Sequence, residues 1–199
     1  MAARGSKSAG SKSAGSKSAN DPRSPLVFDI SRLGRRPGSM MTVQETVPSP
    51  ARIGLDLIAI QPGDDIDLDL RFEAVSEGVL VTGTVRADTS GECSRCLDPA
   101  SGDVEIYLTE LFAYPDSLTE STTEEDEVGR VIDHTVNLEQ PIIDAVGLAL
   151  PLTPLCAEDC PGLCPQCGVA LASAEPGHQH DLIDPRWAKL ANMLPPDRE

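Results

Sequence analysis

The chain has 199 residues, of which 40% are hydrophobic, and its formal net charge is -16 at pH 7. This length and apolar content suffice for one modest core, built mainly from aliphatic side chains because the chain has only one Trp, two Tyr and three Phe. So acidic a surface excludes general nucleic-acid binding, because carboxylates repel phosphates. No stretch approaches the ~18 apolar residues of a membrane span, so we expect no membrane partner.

The charge is unevenly distributed along the chain. Residues 1–40 carry eight Lys and Arg against Asp21 and Asp29, which gives +6, whereas the other residues carry 8 basic and 30 acidic side chains, which gives -22. The sequence therefore predicts a basic arm on an acidic body. Residues 5–19 repeat Gly-Ser-Lys-Ser-Ala three times, and such low complexity predicts a disordered tail over 1–25, which either tethers a polyanion or solubilises the chain.

Three arginines form the best candidate for direct nucleic-acid contact. Arg32, Arg35 and Arg36 lie just before Pro37-Gly38, a dipeptide that favours a turn. The planar guanidinium matches the geometry of a phosphate group. We therefore predict that RNA contact, where it is direct, begins at these three residues.

Alternating apolar residues dominate the middle of the chain and predict a fold of the α+β class that is mainly β. The period of two begins at Ile53, Leu55 and Leu57 and continues in three further runs up to Leu108: Ile66, Leu68, Leu70 and Phe72, then Val79, Val81 and Val85, then Val104, Ile106 and Leu108. This pattern indicates an antiparallel meander of four to five strands with one buried face. Closure into a small barrel-like sheet remains an alternative.

The later part of the chain changes character. The acidic run over 116–127 predicts a mobile loop that can also hold a basic partner, and 130–136 predicts a strand with His134 in a structural role. Residues 137–150 predict a helix, and Asp184-Pro185 predicts the start of a short C-terminal helix over 186–194. We divide the chain into the tail, a β-rich domain over 26–155, and a zinc-binding segment with the C-terminal helix over 156–199.

All six cysteines fall into two groups that predict a structural zinc ion. Cys93-x2-Cys96 lies between two predicted strands, and Cys156, Cys160, Cys164 and Cys167 follow within a dozen residues. Zinc prefers four tetrahedral thiolate or imidazole ligands. Clustered cysteines in a chain without an apolar export signal indicate metal binding in a reducing compartment, so we predict a cytoplasmic protein.

Several ligand sets are compatible with these spacings. We favour one zinc on the local quartet from Cys156 to Cys167. The alternative joins Cys93 and Cys96 to two of the later four, and a six-thiolate cluster with two zinc ions is less favoured. His178 and His180 can replace a cysteine, although we expect them in a solvated loop. A redox role for the Cys93–Cys96 pair is disfavoured, because its flanks predict strands rather than a helix start.

No catalytic constellation accompanies the cysteines. The sequence contains no phosphate-binding loop, no dinucleotide fingerprint and no Ser-His-Asp arrangement. We therefore predict a protein that is not an enzyme and has no small-molecule substrate.

Several segments together resemble the YceD family, the large ribosomal RNA subunit accumulation proteins. The similarity extends over roughly residues 26–194 and rests on five motifs: Leu33-Gly-Arg-Arg-Pro-Gly38, Glu92-Cys-Ser-Arg-Cys-Leu97, Leu148-Ala-Leu-Pro-Leu-Thr-Pro-Leu-Cys156, Asp159-Cys-Pro-Gly-Leu-Cys-Pro-Gln-Cys-Gly168 and Asp184-Pro-Arg-Trp187. The Gly-Ser-Lys-Ser-Ala repeat is not part of the family pattern.

This resemblance implies a ribosome-biogenesis factor that supports the synthesis, processing or accumulation of 23S rRNA without catalysis. The expected partner is 23S rRNA or a large-subunit precursor, together with a basic large-subunit ribosomal protein. Two other classes remain open at this point. One is a thiol-based redox or rRNA-modifying enzyme, and the other is a zinc-stapled interaction module that holds a basic ribosomal protein without contacting RNA.

Overall fold

A computed structural model describes residues 23–124 and 127–180 of the chain. The repeat-containing tail up to residue 22 and the predicted C-terminal helix lie outside the described residues. The described elements are β1 (Val27–Asp29), β2 (Met40–Pro48), β3 (Ile53–Gly54), β4 (Ile58–Ile60), β5 (Asp65–Ala74), β6 (Gly78–Glu92), β7 (Pro99–Ala113), α1 (Leu118–Thr122), β8 (Gly129–Arg130), β9 (Thr135–Asn137) and α2 (Glu139–Ala149).

An antiparallel sheet centred on β6 forms the body of the fold. β7 pairs with β6 along the full length of both strands. The opposite edge of β6 is shared by β5, which pairs with residues 79–87, and by β4, which pairs with residues 90 and 91. β2 extends the sheet beyond β5, and β3 extends it beyond β4. The predicted antiparallel meander is confirmed in the run from β5 to β7.

One face of this sheet carries the core. On β5, the side chains of Ile66, Leu68, Leu70 and Phe72 are buried, whereas the acidic residues between them are exposed. Successive side chains of a strand point to opposite faces, so the alternation in the sequence gives one dry face and one charged face. The charged face includes an ion pair between Arg86 and Glu105 at 2.8 Å.

The dry face is covered by a small second sheet and by α2. β1 pairs with β9 in antiparallel fashion, and Phe28 of β1 packs on Phe72 with ring centroids 5.5 Å apart. α2 packs against β7 and β3, and it buries Ile142 and Val146 completely. The two covers and the sheet share one hydrophobic core.

The structure departs from the sequence prediction at several loops. The sheet does not close into a barrel within the described ranges, because β2 and β3 end it on one side of β6, and β8, which pairs with β7, ends it on the other. The run from Ile53 to Leu57 is not one strand, because the chain reverses after Gly54 and returns as β4, with the Leu55 N–H donating to the Ile58 carbonyl at 2.9 Å.

The predicted acidic loop contains the short helix α1. The hydroxyl of Ser117 accepts a hydrogen bond from the N–H of Glu120 at 3.1 Å and caps the helix, an interaction that stabilises a helix N-terminus. The predicted strand over 130–136 is divided into β8 and β9. Asp133 and His134 lie between them with left-handed φ angles of 49° and 60°, so His134 belongs to a turn rather than to a strand.

We expect α2 to stabilise the protein mainly through its buried side chains. Ile142→Ala removes a side chain with no exposed surface, and the resulting cavity should lower the free energy of unfolding by about 2–5 kcal/mol. Leu148→Ala is the matched control on the same helix, because Leu148 is 89% exposed. Thermal unfolding of the two variants tests the packing, and equal losses would contradict it.

Candidate metal centres

The turn between β6 and β7 presents the first pair of cysteines. Cys93 is the first residue after β6, and its N–H donates to the carbonyl of Asp98 at 2.8 Å. The N–H of Leu97 donates back to the carbonyl of Cys93 at 2.9 Å, and Leu97 adopts a left-handed φ of 65°. This tight turn places the sulfurs of Cys93 and Cys96 on the same side.

The segment after α2 brings a second pair of cysteines to this turn. The carbonyl of Pro154 accepts a hydrogen bond from the N–H of Ser94 at 2.8 Å, which fixes the segment beside the turn. The Arg95 guanidinium donates to the carbonyl of Cys160 at 2.9 Å. Cys156 and Cys160 are therefore held at the β6–β7 turn by one backbone and one side-chain hydrogen bond.

The four sulfurs form the inner cluster, defined by Cys93, Cys96, Cys156 and Cys160, and they all lie within 4.8 Å of one another. Cys93 Sγ and Cys160 Sγ are 3.8 Å apart, and Cys96 Sγ and Cys156 Sγ are 3.5 Å apart. A tetrahedron with Zn–S bonds of ~2.3 Å has edges of about 3.8 Å, whereas a disulfide needs ~2.05 Å. The spacing fits four thiolates around one tetrahedral ion.

The thiols of the inner cluster differ in acidity. Burial raises the pKa of Cys93, but hydrogen bonds from the backbone N–H groups of Cys156 and Arg95 outweigh it and lower this pKa to about 6. A backbone hydrogen bond at Asp98 lowers the pKa of Cys96, but burial and the adjacent thiols raise it well above its usual range. One thiolate thus opposes the ionisation of its neighbours, and a bound cation would remove that opposition.

The remaining two cysteines lie beside the two C-terminal histidines of the described chain. Cys164, Cys167, His178 and His180 define the outer cluster, in which the ligand atoms also lie within 4.8 Å of one another. Cys167 Sγ is 3.4 Å from Nε2 of His178 and 3.2 Å from Nε2 of His180. Both clusters can hold a metal ion.

The favoured local quartet therefore differs from the structure, which divides it between two clusters. Gly162 has a left-handed φ of 80°, and the N–H of Leu163 donates to the carbonyl of Arg95 at 3.1 Å. The chain thus leaves Cys160 beside Cys93 and carries Cys164 to the outer cluster. His178 and His180 do lie in a largely exposed loop, but both imidazoles also contact Cys167. Their spacing after a Cys-x2-Cys pair was the signal that sequence reasoning undervalued.

The three candidate arginines lie on a turn that leads from β1 to β2. Arg32, Arg35 and Arg36 are all exposed, whereas Leu33 between them is buried in the core. The Arg35 guanidinium lies 4.8 Å from the centroid of the Tyr114 ring, a distance at which a cation and an aromatic face attract each other. The arginine turn is thus anchored from beneath and presents three cations on one short segment.

The described part of the chain contains no helix that is long and apolar enough to cross a membrane.

The architecture of the protein defines a class: an antiparallel β protein whose main hairpin carries a four-cysteine cluster, followed by a cysteine–histidine cluster. The chain belongs to the YceD family, because the family model described as large ribosomal RNA subunit accumulation protein YceD matches residues 81–194, more than half of its length.

Mycobacterial relatives cover most of the chain. An uncharacterized protein of Mycobacterium tuberculosis strain H37Rv is 69% identical over 176 residues, which are 88% of this chain and 84% of the relative. An uncharacterized protein of Mycobacterium leprae is 61% identical over 174 residues, which are 87% of this chain and 80% of the relative. No solved structure matches the chain significantly.

Proposed function

We propose that this protein supports the accumulation of 23S rRNA and the assembly of the large ribosomal subunit by binding a precursor without catalysis. The family description names large ribosomal RNA subunit accumulation. The observation that carries the proposed contact is the exposed arginine turn, Arg32, Arg35 and Arg36, on a body that is otherwise strongly acidic. Cytoplasmic 23S rRNA precursors are the proposed partner.

Arginines on a turn bind a phosphate backbone better than lysines would at the same positions. Three guanidinium groups on one anchored segment offer paired N–H donors to successive phosphates. The acidic face of β5, where Asp65, Asp67 and Asp69 are exposed, repels RNA from that face of the sheet. This asymmetry favours an approach in which the arginine turn faces the polyanion.

We assign the inner cluster a structural zinc. Four protein ligands fill a tetrahedral ion and leave no open position for substrate or water, as in structural rather than catalytic sites. The sulfurs come from the β6–β7 turn and from the segment after α2, so the ion would join the sheet to the C-terminal segment. Redox chemistry at the Cys93–Cys96 pair is disfavoured, because Cys93 follows a strand rather than opening a helix. Cys93 also has Cys160 as a neighbour at 3.8 Å, a spacing typical of ligands that share one metal ion.

The arginine contact is tested with Arg32→Ala/Arg36→Ala. We leave Arg35 in place because it stacks on Tyr114. Loss of two phosphate contacts should weaken binding to purified large-subunit precursors about tenfold, and the slope of log affinity against log salt should become shallower by about 1.4. Sedimentation of the protein with precursors at several salt concentrations measures both quantities.

The matched control removes two arginines from the charged face of the sheet. Arg71→Ala/Arg86→Ala produces the same change in net charge at positions that are ion-paired and half-exposed. We expect this variant to bind precursors as the wild type does. Equal weakening by both variants would mean that only the total charge matters, and unchanged binding by the Arg32/Arg36 variant would remove the arginine turn from the interface.

A basic large-subunit ribosomal protein is a second candidate partner, favoured by the exposed aspartates of β5 and by Glu124 and Glu127. Exposed carboxylates attract Lys and Arg side chains. If Glu124 and Glu127 mediate the association, Glu124→Gln/Glu127→Gln should release the protein from precursors, while Arg32→Ala/Arg36→Ala should leave it bound.

A further inference from the structure

The outer cluster repeats the backbone geometry of the inner one. The N–H of Cys164 donates to the carbonyl of Val169 at 2.8 Å, and the N–H of Gly168 donates to the carbonyl of Cys164 at 2.8 Å. These are the same two hydrogen bonds, at the same spacing, that Cys93 makes with Asp98 and Leu97. Gly168 has a left-handed φ of 74°, matching the left-handed Leu97 at the equivalent position. The chain therefore builds one cysteine-presenting turn twice.

The histidines are brought back onto this turn by a compact loop. The N–H of Leu171 donates to the carbonyl of Gly162 at 2.9 Å, and the N–H of His178 donates to the carbonyl of Glu175 at 3.0 Å. Gly177, with a φ of 85°, sits immediately before His178. The segment between Cys167 and His180 thus folds back through local backbone hydrogen bonds and brings both imidazoles to the same point.

The distances among the donor atoms fit a metal ion better than hydrogen bonds alone. Nε2 of His178 and Nε2 of His180 are 3.1 Å apart, and both lie 3.2–3.4 Å from the same sulfur, Cys167 Sγ. Zn–N bonds of ~2.0–2.1 Å and Zn–S bonds of ~2.3 Å predict N–N and N–S edges of about 3.3 and 3.5 Å. Hydrogen bonds among these three atoms would need a proton on each side of the triangle, and the side chains supply these only in part. One cation can bind all three atoms at once.

We propose that Cys164, Cys167, His178 and His180 hold a second zinc ion, which exchanges independently of the ion in the inner cluster. Zinc is the expected metal because two thiolates and two imidazoles in a tetrahedral arrangement are its preferred donors. This inference does not rest on the proposed role in rRNA accumulation, because it concerns the metal content of the purified chain.

The two clusters differ in how their ligands are brought together. The inner cluster joins residues 67 apart in sequence and buries three of its four cysteines. The outer cluster joins residues within one local segment, with Cys167 and His180 13 apart in sequence, and both of these ligands are exposed. A short loop closes at a smaller entropic cost than a long one, and exposed ligands admit a competing chelator. The outer ion should therefore leave and return without unfolding of the sheet.

The test is the zinc content of the purified full-length chain, measured together with the absorption of its Co²⁺-substituted form. The wild type should carry about two zinc ions per chain, and His178→Ala/His180→Ala should carry about one. The Co²⁺ form of that variant should keep the thiolate charge-transfer bands of the four-cysteine site. A chelator added to the wild type should remove zinc in two phases, of which the faster is absent from the variant.

A matched control replaces the third histidine, because His134→Ala should retain about two zinc ions per chain. Cys93→Ser/Cys96→Ser should retain the mixed thiolate–imidazole Co²⁺ spectrum of the outer cluster. One zinc ion in the wild type, or two in the His178/His180 variant, would overturn the second site. Loss of both ions in the His178/His180 variant, or release from the wild type in a single phase, would overturn independent exchange.

Discussion

Replacing Cys93 and Cys96 with serine is expected to remove the inner zinc and to lower the thermal midpoint by about 10–20 °C, which corresponds to roughly 5 kcal/mol for a chain of this size. The effect is large because the four sulfurs join the β6–β7 turn to the segment after α2. Without the ion, buried thiols such as Cys93 and Cys160 lose their common partner, and the segment is held by a few hydrogen bonds to Ser94 and Arg95 and by the packing of Leu155 and Leu163.

The comparison with the outer cluster makes this prediction specific. Cys164→Ser/Cys167→Ser removes the same two atoms from a turn with the same hydrogen bonds, but it affects only a local loop beyond the core. Calorimetry should therefore show a much smaller decrease in its midpoint. A decrease of equal size in both variants, or none in the Cys93/Cys96 variant, would contradict the role of the inner cluster as the link between sheet and C-terminal segment.

Gly91→Ala is expected to produce the second large effect. A Cβ atom at Gly91 would lie 1.9 Å from the carbonyl oxygen of Leu57 and 2.7 Å from the Cα of Ile58, so β4 must move away from β6. Both neighbours are backbone atoms and cannot rotate aside. We expect a loss of at least about 3 kcal/mol, at the upper end for point substitutions, and weaker zinc binding, because Gly91 lies two residues before Cys93.

The control for this substitution is Gly147→Ala in α2. A Cβ atom at Gly147 meets nothing within 4 Å, and alanine favours a helix over glycine by about 0.5–1 kcal/mol. Denaturant unfolding should therefore give a slightly more stable variant. If Gly91→Ala unfolds at the wild-type denaturant concentration, the close approach of β4 to β6 at this position is not present in solution.

The sheet was predictable where one side of a strand is buried and the other is wet. β5 alternates strictly between buried apolar and exposed charged residues, and that alternation is the strongest sequence signal for a strand. β2 gave no such signal, because Val47 is its single buried residue. An edge strand is selected by pairing with its neighbour, which is β5 in this case, rather than by its own hydrophobic pattern.

The turns were harder to predict because they depend on backbone geometry. Gly54 lets the chain reverse between β3 and β4, where its Cα is so close to Ile58 and Ala59 that a Cβ would lie 2.8 Å from their backbone. The sequence alternation of Ile53, Leu55 and Leu57 continues through this reversal and therefore predicted one strand instead of two. One strand and two strands are distinguished here only by the close approach of β3 to β4 in the folded chain.

The candidate metal ligands were all identifiable by residue type, but their grouping was not. Four cysteines within a dozen residues favour a local site on loop-closure grounds. That preference is reversed because the β6–β7 turn already presents Cys93 and Cys96 in a fixed arrangement, and the backbone around Gly162 separates Cys160 from Cys164. The spacing of cysteines in the sequence indicates the entropic cost of closing a loop, whereas the fold determines which pairs of cysteines are already held side by side.

The most direct test of the proposed function is the ratio of 23S to 16S rRNA in cells depleted of this protein. The ratio should fall on depletion and recover when the wild-type chain is supplied, but not when the Cys93→Ser/Cys96→Ser variant is supplied at equal abundance. An unchanged ratio in fully depleted cells would contradict a role in 23S rRNA accumulation, whatever the metal content of the purified protein.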